Sequence, residues 1–226
     1  MIFWATSDIH SPRYLDVFFS SRRNLPPSNL ILLAGDLVDK GRVIHFDPIY
    51  RALSSTSVIA VFGNEDFREV RDEFRRMYPK VIWLEDESHT VTLDHMTIEV
   101  VGSEGIISRP TKWQRELGIS EEIYMKRFEK INKLLCDSKA DYLILLTHYA
   151  SSYVTVTGER RWAYPELGYP LVENVECKPD LAVHGHAHKA TVLRAVVGNV
   201  KVYNVALPAN KQIVSINVDL NEKKRK

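Results

Sequence analysis

The stretch LILLAGDLVD, residues 30–39, carries an unbroken apolar run into a glycine and then a carboxylate. A run without polar alternation suits a strand covered on both faces, and the Gly35–Asp36 step puts a cation ligand at the point where that strand ends. Four other apolar runs finish in the same manner: residues 2–5 before Asp8 and His10, 58–62 before Asn64, 142–146 before His148, and 181–183 before His186 and His188. Side chains are delivered at the carboxyl ends of strands, so five such ends converging in one sheet would build one site.

Composition limits what these motifs can mean. A chain of 226 residues, 45% hydrophobic, buries a full core and is expected to form one α/β domain. Thirty Lys and Arg against 29 Asp and Glu leave a net charge of +1. That is no global field for drawing in nucleic acid or membrane, so partners must be recognised locally. The apolar stretches fall far short of the roughly 18 residues of a membrane span, and the N-terminus lacks the basic-then-apolar layout of a secretion signal. The expected compartment is the cytoplasm. Cys136 and Cys177 stand in unlike contexts, which speaks against a disulfide and against a thiolate metal site.

Strand-like and helix-like patterns alternate through the first third of the chain. The run 2–5 gives way to an amphipathic stretch ending at Arg23, the run 30–34 follows the turn-like residues 26–29, and the run 58–62 precedes a charged helix pattern over 67–77. This is a βαβ opening. Residues 81–84, 89–93 and 97–101 then read as short antiparallel strands, because turn signals and no helix separate them. A helix is predicted over 120–136, buried strands over 142–146 and 181–183, and three closing β segments over 190–197, 200–205 and 213–218. Two packed sheets flanked by helices accommodate this order.

Among the ligand candidates, Asp8 and His10 are two apart, a spacing that puts both on one side of a strand. Asp36 can bridge two cations, whereas Asp39 reads as a turn or cap. Asn64 offers an amide oxygen in a second Gly-led turn, and His184, His186 and His188 crowd three imidazoles into five residues. His184 is expected to be buried.

The ordered set Asp8-x-His10, Gly35–Asp36-x-x-Asp39, Gly63–Asn64, His148 and Gly185–His186-x-His188 resembles the calcineurin-like metallophosphoesterases over positions 8–188. The resemblance implies a four-layer α/β sandwich of two mixed sheets flanked by helices. Residues 1–226 are expected to form a single metallophosphoesterase-like domain, with 221–226, on its basic low-complexity composition, as a flexible tail. The resemblance also implies a dinuclear centre: Asp8, His10 and His188 on one metal, Asn64, His148 and His186 on the other, and Asp36 between them. Two dications about 3.5–4 Å apart clamp both oxygens of an in-line phosphoryl displacement and make hydroxide available near neutral pH. The donor set suits Mn²⁺, Fe, Co²⁺, Ni²⁺ or Zn²⁺, with Mn²⁺ as the working choice.

Much of that family has histidine where this chain has Glu65, and a glutamate beside dications is an anion, not a proton donor. Glu65 then contacts the substrate, or His45 supplies the proton, or turnover is slow. The long loops 103–118 and 151–169 bring Trp113, Arg160, Arg161 and Trp162, which suit phosphate and a stacked base, so a small nucleotide-like substrate is favoured. The same residues equally suit a homodimer contact. A scaffold with a decayed centre, as in a retromer subunit, is the alternative; all seven ligand candidates are present, which ranks an enzyme above it. Duplex nucleic acid ranks last for want of a basic stripe.

Overall fold

The computed structural model describes residues 1–53 and 55–219. Eleven strands occur among them: β1 Ile2–Thr6, β2 Leu30–Ala34, β3 Val58–Val61, β4 Val81–Leu84, β5 Glu87–Leu93, β6 Met96–Ser103, β7 Tyr142–Thr147, β8 Leu181–His184, β9 Arg194–Val197, β10 Val200–Asn204 and β11 Val214–Asn217. They form two mixed sheets, one in the order β11-β1-β2-β3-β4 and the other in the order β5-β6-β7-β8-β10-β9. Strands β1 to β4 run parallel, with β11 antiparallel at the edge. In the second sheet β6, β7, β8 and β10 are parallel, and β5 and β9 are the antiparallel edges.

The unbroken apolar character of β2 follows from its place in the layers. Leu30, Leu32 and Ala34 join Ile59, Val61, Ile98, Val100, Ile144, Leu146 and Val183 in the core between the sheets. Ile31 and Leu33 face the other way, into a cluster with Phe18, Phe46, Ile49, Phe74 and Tyr78. Those residues come from α1 (Leu15–Arg22), α2 (Asp47–Leu53), α3 (Arg71–Met77) and the turns beside them. On the outer face of the second sheet, α4 (Lys112–Glu116) precedes α5 (Glu121–Asp137). Tyr124, Ile131 and Leu135 of α5, at near-helical spacing, pack on Leu143, Leu145, Ala182 and Val202. The architecture is therefore the expected sandwich of two mixed sheets flanked by helices.

Three sequence expectations need correction. Residues 81–84 are not part of an antiparallel run with the next two segments: β4 is a parallel partner of β3 in the first sheet, and only β5 and β6 pair antiparallel. Leu84 packs between the sheets while Val81 and Trp83 pack against the helices, and the short connection to β5 is a change of sheet, not a hairpin. Cys136 and Cys177, expected not to pair, form a disulfide that joins the end of α5 to the segment before β8. Their sequence contexts differ because one is helical and the other lies in a loop, which says nothing about their distance in space. Finally, His45, read from the sequence as part of the loop after Asp39, belongs to a short 3-10 turn, Val43–Phe46, leading into α2. The basic tail 221–226 lies outside the described residues. Among those described, no helix is long and apolar enough to cross a membrane.

Candidate metal centre

The ligand candidates converge, but from two sheets. Asp8 and His10 follow β1, Asp36 follows β2 and Asn64 follows β3 in the first sheet; His148 follows β7, and His186 and His188 follow β8 in the second. Close backbone contact sets the spacing. Gly35 has φ +81°, and a Cβ there would lie 2.7 Å from the Gly63 nitrogen, so the turns after β2 and β3 touch through their glycines. Asp8, His10, Asp36 and His186 all adopt left-handed backbone (φ 54°, 41°, 50° and 66°). Each such non-glycine residue costs on the order of 1–2 kcal/mol, a strain that concentrates at functional sites.

His10 Nε2 lies 3.7 Å from Asp36 Oδ2 and 3.9 Å from Asp8 Oδ1, and His148 Nε2 lies 3.5 Å from Asp36 Oδ2. His188 Nε2 is 2.8 Å from Asp8 Oδ1. The other oxygen of Asp8 accepts from the Ser7 hydroxyl and from the His186 N–H at 2.9 Å, which fixes the carboxylate plane. Two groupings have their candidate ligand atoms within 4.8 Å of one another: Asp8, Asp36, His148 and His186; and Asp8, His10 and His188. His10, Asp39 and Glu65 make a third, although Asp39 is engaged by Arg13 at 2.8 Å.

Two features show that this donor set suits cations. Both ring nitrogens of His10 are buried without a hydrogen-bond partner. His148 Nδ1 faces the Ala34 carbonyl at 2.9 Å, where only a ring N–H is compatible, so in the neutral ring Nε2 carries a lone pair. That lone pair points at Asn64 Oδ1, 3.0 Å away, and two acceptors face one another. Cations bonded to His148 Nε2, to Asn64 Oδ1 and to one ring nitrogen of His10 would give each of those atoms a partner.

The electrostatics agree. Burial pushes His10, His148 and His186 below the ordinary imidazole range, keeping them neutral donors. Burial, then the charges of Asp8 and Asp66, push Asp36 well above the carboxylate range. Burial acts upward on Asp8 too, but the hydrogen bond and charge of His188 outweigh it and hold Asp8 low. His188 is raised in turn: burial alone would lower it, and the Asp8 carboxylate reverses the sign.

A model of the calcineurin-like phosphoesterase family matches residues 1–190. The chain belongs to that family. Phosphoric ester hydrolysis and divalent metal binding are general properties of the family. Two solved structures show a similar fold. The phosphopantetheinyl hydrolase PptH of Mycobacterium tuberculosis is 15% identical over 94% of this chain and 95% of its own, with a TM-score of 0.58. TT1561 of Thermus thermophilus is 14% identical over 96% of this chain and 99% of its own, also at 0.58. None of the curated proteins matches the chain.

In this phosphoesterase a cleft of about 370 Å³ is lined by His10, Asp36, Asn64, Glu65, His186 and His188, with Arg13, Glu159 and Lys189 completing its wall. The last three carried no sequence signal beyond being charged. Glu65 does face the cleft, and its Oε2 accepts the Lys40 N–H at 3.1 Å. His45 does not line that cleft; its Nδ1 meets the Ser11 carbonyl at 3.1 Å. Trp113 lines a neighbouring cavity that also touches Asn64, whereas Arg160, Arg161 and Trp162 line neither space. Asp66 is the residue that sequence reasoning passed over. Fully buried, it accepts from the backbone N–H groups of Leu37 (3.1 Å), Val38 (3.4 Å) and Gly63 (2.9 Å), locking the loop of Asp36 to that of Asn64. Its position two residues after Asn64 was the available clue.

His184 is buried as expected, between the Thr155 hydroxyl at Nε2 (2.6 Å) and the Gly185 carbonyl at Nδ1 (2.9 Å). Burial drives its pKa from 6.5 to about 4. The folded state therefore stays neutral while the unfolded state takes a proton, so stability present above pH 6.5 is lost as pH falls toward 4. The shift corresponds to about 3 kcal/mol. Urea unfolding of metal-stripped protein at pH 7.5, 5.5 and 4 should show this loss, with a shallower slope in His184→Gln; identical slopes would remove His184 as a source.

Proposed function

We propose that this family member hydrolyses small phosphodiesters or phosphomonoesters, nucleotide-like ones above all, at a centre of two divalent cations, Mn²⁺ by preference. Asp8, His10 and His188 would hold one cation, Asn64, His148 and His186 the other, and Asp36 would join them. When bound, such a pair supplies Lewis acidity and lowers the pKa of water toward neutrality. The observation that carries the reading is the opposition of His148 Nε2 and Asn64 Oδ1, beside the unpartnered His10, at the meeting point of five strand ends.

The protein's own groups have distinct tasks. The Ala34 carbonyl fixes the His148 ring, and the Ser7 hydroxyl and His186 N–H fix Asp8. The Glu65 N–H, 2.8 Å from Asp36 Oδ1, does the same for Asp36 and leaves Oδ2 toward His10 and His148. Arg13 and Lys189 place positive charge on the wall of the cleft, where a phosphate enters. A cytoplasmic home for the chain has to accommodate its disulfide, a bond that most cytoplasms reduce.

Metal-stripped protein should release little nitrophenol from bis(p-nitrophenyl) phosphate or p-nitrophenyl phosphate until Mn²⁺ is restored, and the ratio of the two rates separates diester from monoester preference. No release from either ester with Mn²⁺ present would move the reading to a scaffold. Glu65 leaves its position in the cleft without an acid. Glu65→His should therefore speed turnover of poor leaving groups such as phenyl phosphate by about tenfold or more, with little change for nitrophenyl esters. An unchanged or lower phenyl phosphate rate would instead assign the Glu65 carboxylate a positive role, consistent with its hold on the Lys40 N–H.

A further inference from the structure

A second cavity, of about 180 Å³, adjoins the metal cleft and shares Asn64 with it. Its apolar walls are Phe67, Trp113, Leu117 and Ile119, with the exposed Arg68 beside them. Trp113 on α4 and Leu117 just after it remain 52% and 59% exposed, an unusual cost for two large apolar side chains so close together. The backbone that carries Trp113 is anchored through its neighbours. Thr111 and Gln114 form a capping box around α4, and the Gln114 side-chain nitrogen donates to the Tyr124 and Tyr149 hydroxyls at 3.2 and 3.0 Å.

The buried polar groups of this cavity are committed to one another. Glu104 accepts from Arg71 at 3.1 Å and from Tyr149 at 3.3 Å, and Gln114 Oε1 accepts the Thr111 N–H at 2.8 Å. They offer a satisfied surface and little capacity to read the edge of a ligand by new hydrogen bonds. The aromatic and aliphatic walls offer flat apolar contact. Cleft and cavity together fall within the roughly 300–1,000 Å³ of small-ligand sites.

Resting on the phosphoesterase reading of the metal cleft, we propose that this cavity seats a planar aromatic ring, of nucleobase size, carried by the phosphorylated substrate. Trp113 is the stacking face and Arg68 its cationic neighbour, so recognition is by ring surface and tolerates different bases. Stacking of this kind is worth roughly tenfold to a hundredfold in affinity.

The test is calorimetric titration of Mn²⁺-loaded protein with non-hydrolysable phosphonate analogues of AMP, UMP and ribose 5-phosphate. Both nucleotide analogues should bind at least about tenfold more tightly than the ribose compound and within about threefold of each other. Trp113→Ala should bring them down to the ribose level while leaving ribose binding unchanged, and Trp113→Phe should retain most of the preference. Equal binding of all three analogues by the wild type overturns the proposal, as does equal weakening of all three by Trp113→Ala. Hydrolysis of bis(p-nitrophenyl) phosphate is read separately, so a failure of the phosphoesterase reading is not confused with a failure of the ring site.

Discussion

Asp36→Asn should lower Mn²⁺-dependent hydrolysis of bis(p-nitrophenyl) phosphate by at least about 10³-fold. Loss of one preorganised polar group from an active site already costs about 10²–10³, and this carboxylate is assigned to both cations. The substitution is close to isosteric, and the amide oxygen can still accept the Glu65 N–H that Asp36 Oδ1 accepts now. Metal content should fall at both positions, whereas His186→Ala and His188→Ala should each lose about one cation per chain. Stability should move the other way. Burial and the nearby Asp8 and Asp66 charges hold Asp36 well above the carboxylate range, so its ionised form opposes folding at neutral pH in the absence of metal. Metal-stripped Asp36→Asn should therefore melt no lower than metal-stripped wild type at pH 7.5. Full metal content and an undiminished rate in the variant would sink the bridging assignment.

Asp66→Ala should destabilise metal-stripped protein by about 3 kcal/mol at pH 5, because it strips the partner from three buried backbone N–H groups at once. Burial pushes the Asp66 carboxyl up to about 6, against the pull of those N–H groups and Arg71. A carboxyl raised in the fold contributes its stability in full below the unfolded value of 3.8, and loses it as pH rises through about 6. The deficit of the variant should accordingly shrink between pH 5 and pH 8 in chemical denaturation. A deficit that grows with pH would mean that the ionised carboxylate is the favoured partner of the three donors. Activity should fall as well, since the same three bonds hold the loop of Asp36 against that of Asn64.

The chemistry was more legible in the sequence than the layering that presents it. Ligand side chains must follow buried strands directly, so Asp8, Asp36, Asn64, His148 and His186 could be picked out by eye. Which sheet each strand belongs to is a long-range matter. Nothing in residues 81–84 distinguishes a partner of β3 from a partner of β5, and the five ends were expected in one sheet although they come from two. The pairing of Cys136 with Cys177 was hidden for the same reason: 41 positions separate them, and only the packing of α5 on the second sheet brings them together. Arg13, Glu159 and Lys189 reach the cleft from surface loops, where charged residues are ordinary. Trp113 was legible as a candidate, while Arg160, Arg161 and Trp162, equally suggestive in composition, line neither cavity.

The proposed assignment of ligands to two sheets would make the centre a coincidence detector for folding. Neither sheet alone carries a complete donor set: β1 to β3 bring Asp8, His10, Asp36 and Asn64, and β7 and β8 bring His148, His186 and His188. On the proposed assignment, a chain with one sheet formed and the other still unpaired would have no assembled centre at which to cleave phosphate esters. Cations that bind only the finished arrangement would also fasten the two sheets to one another. At a free concentration a thousand times the dissociation constant, one such cation adds about 4 kcal/mol against their separation.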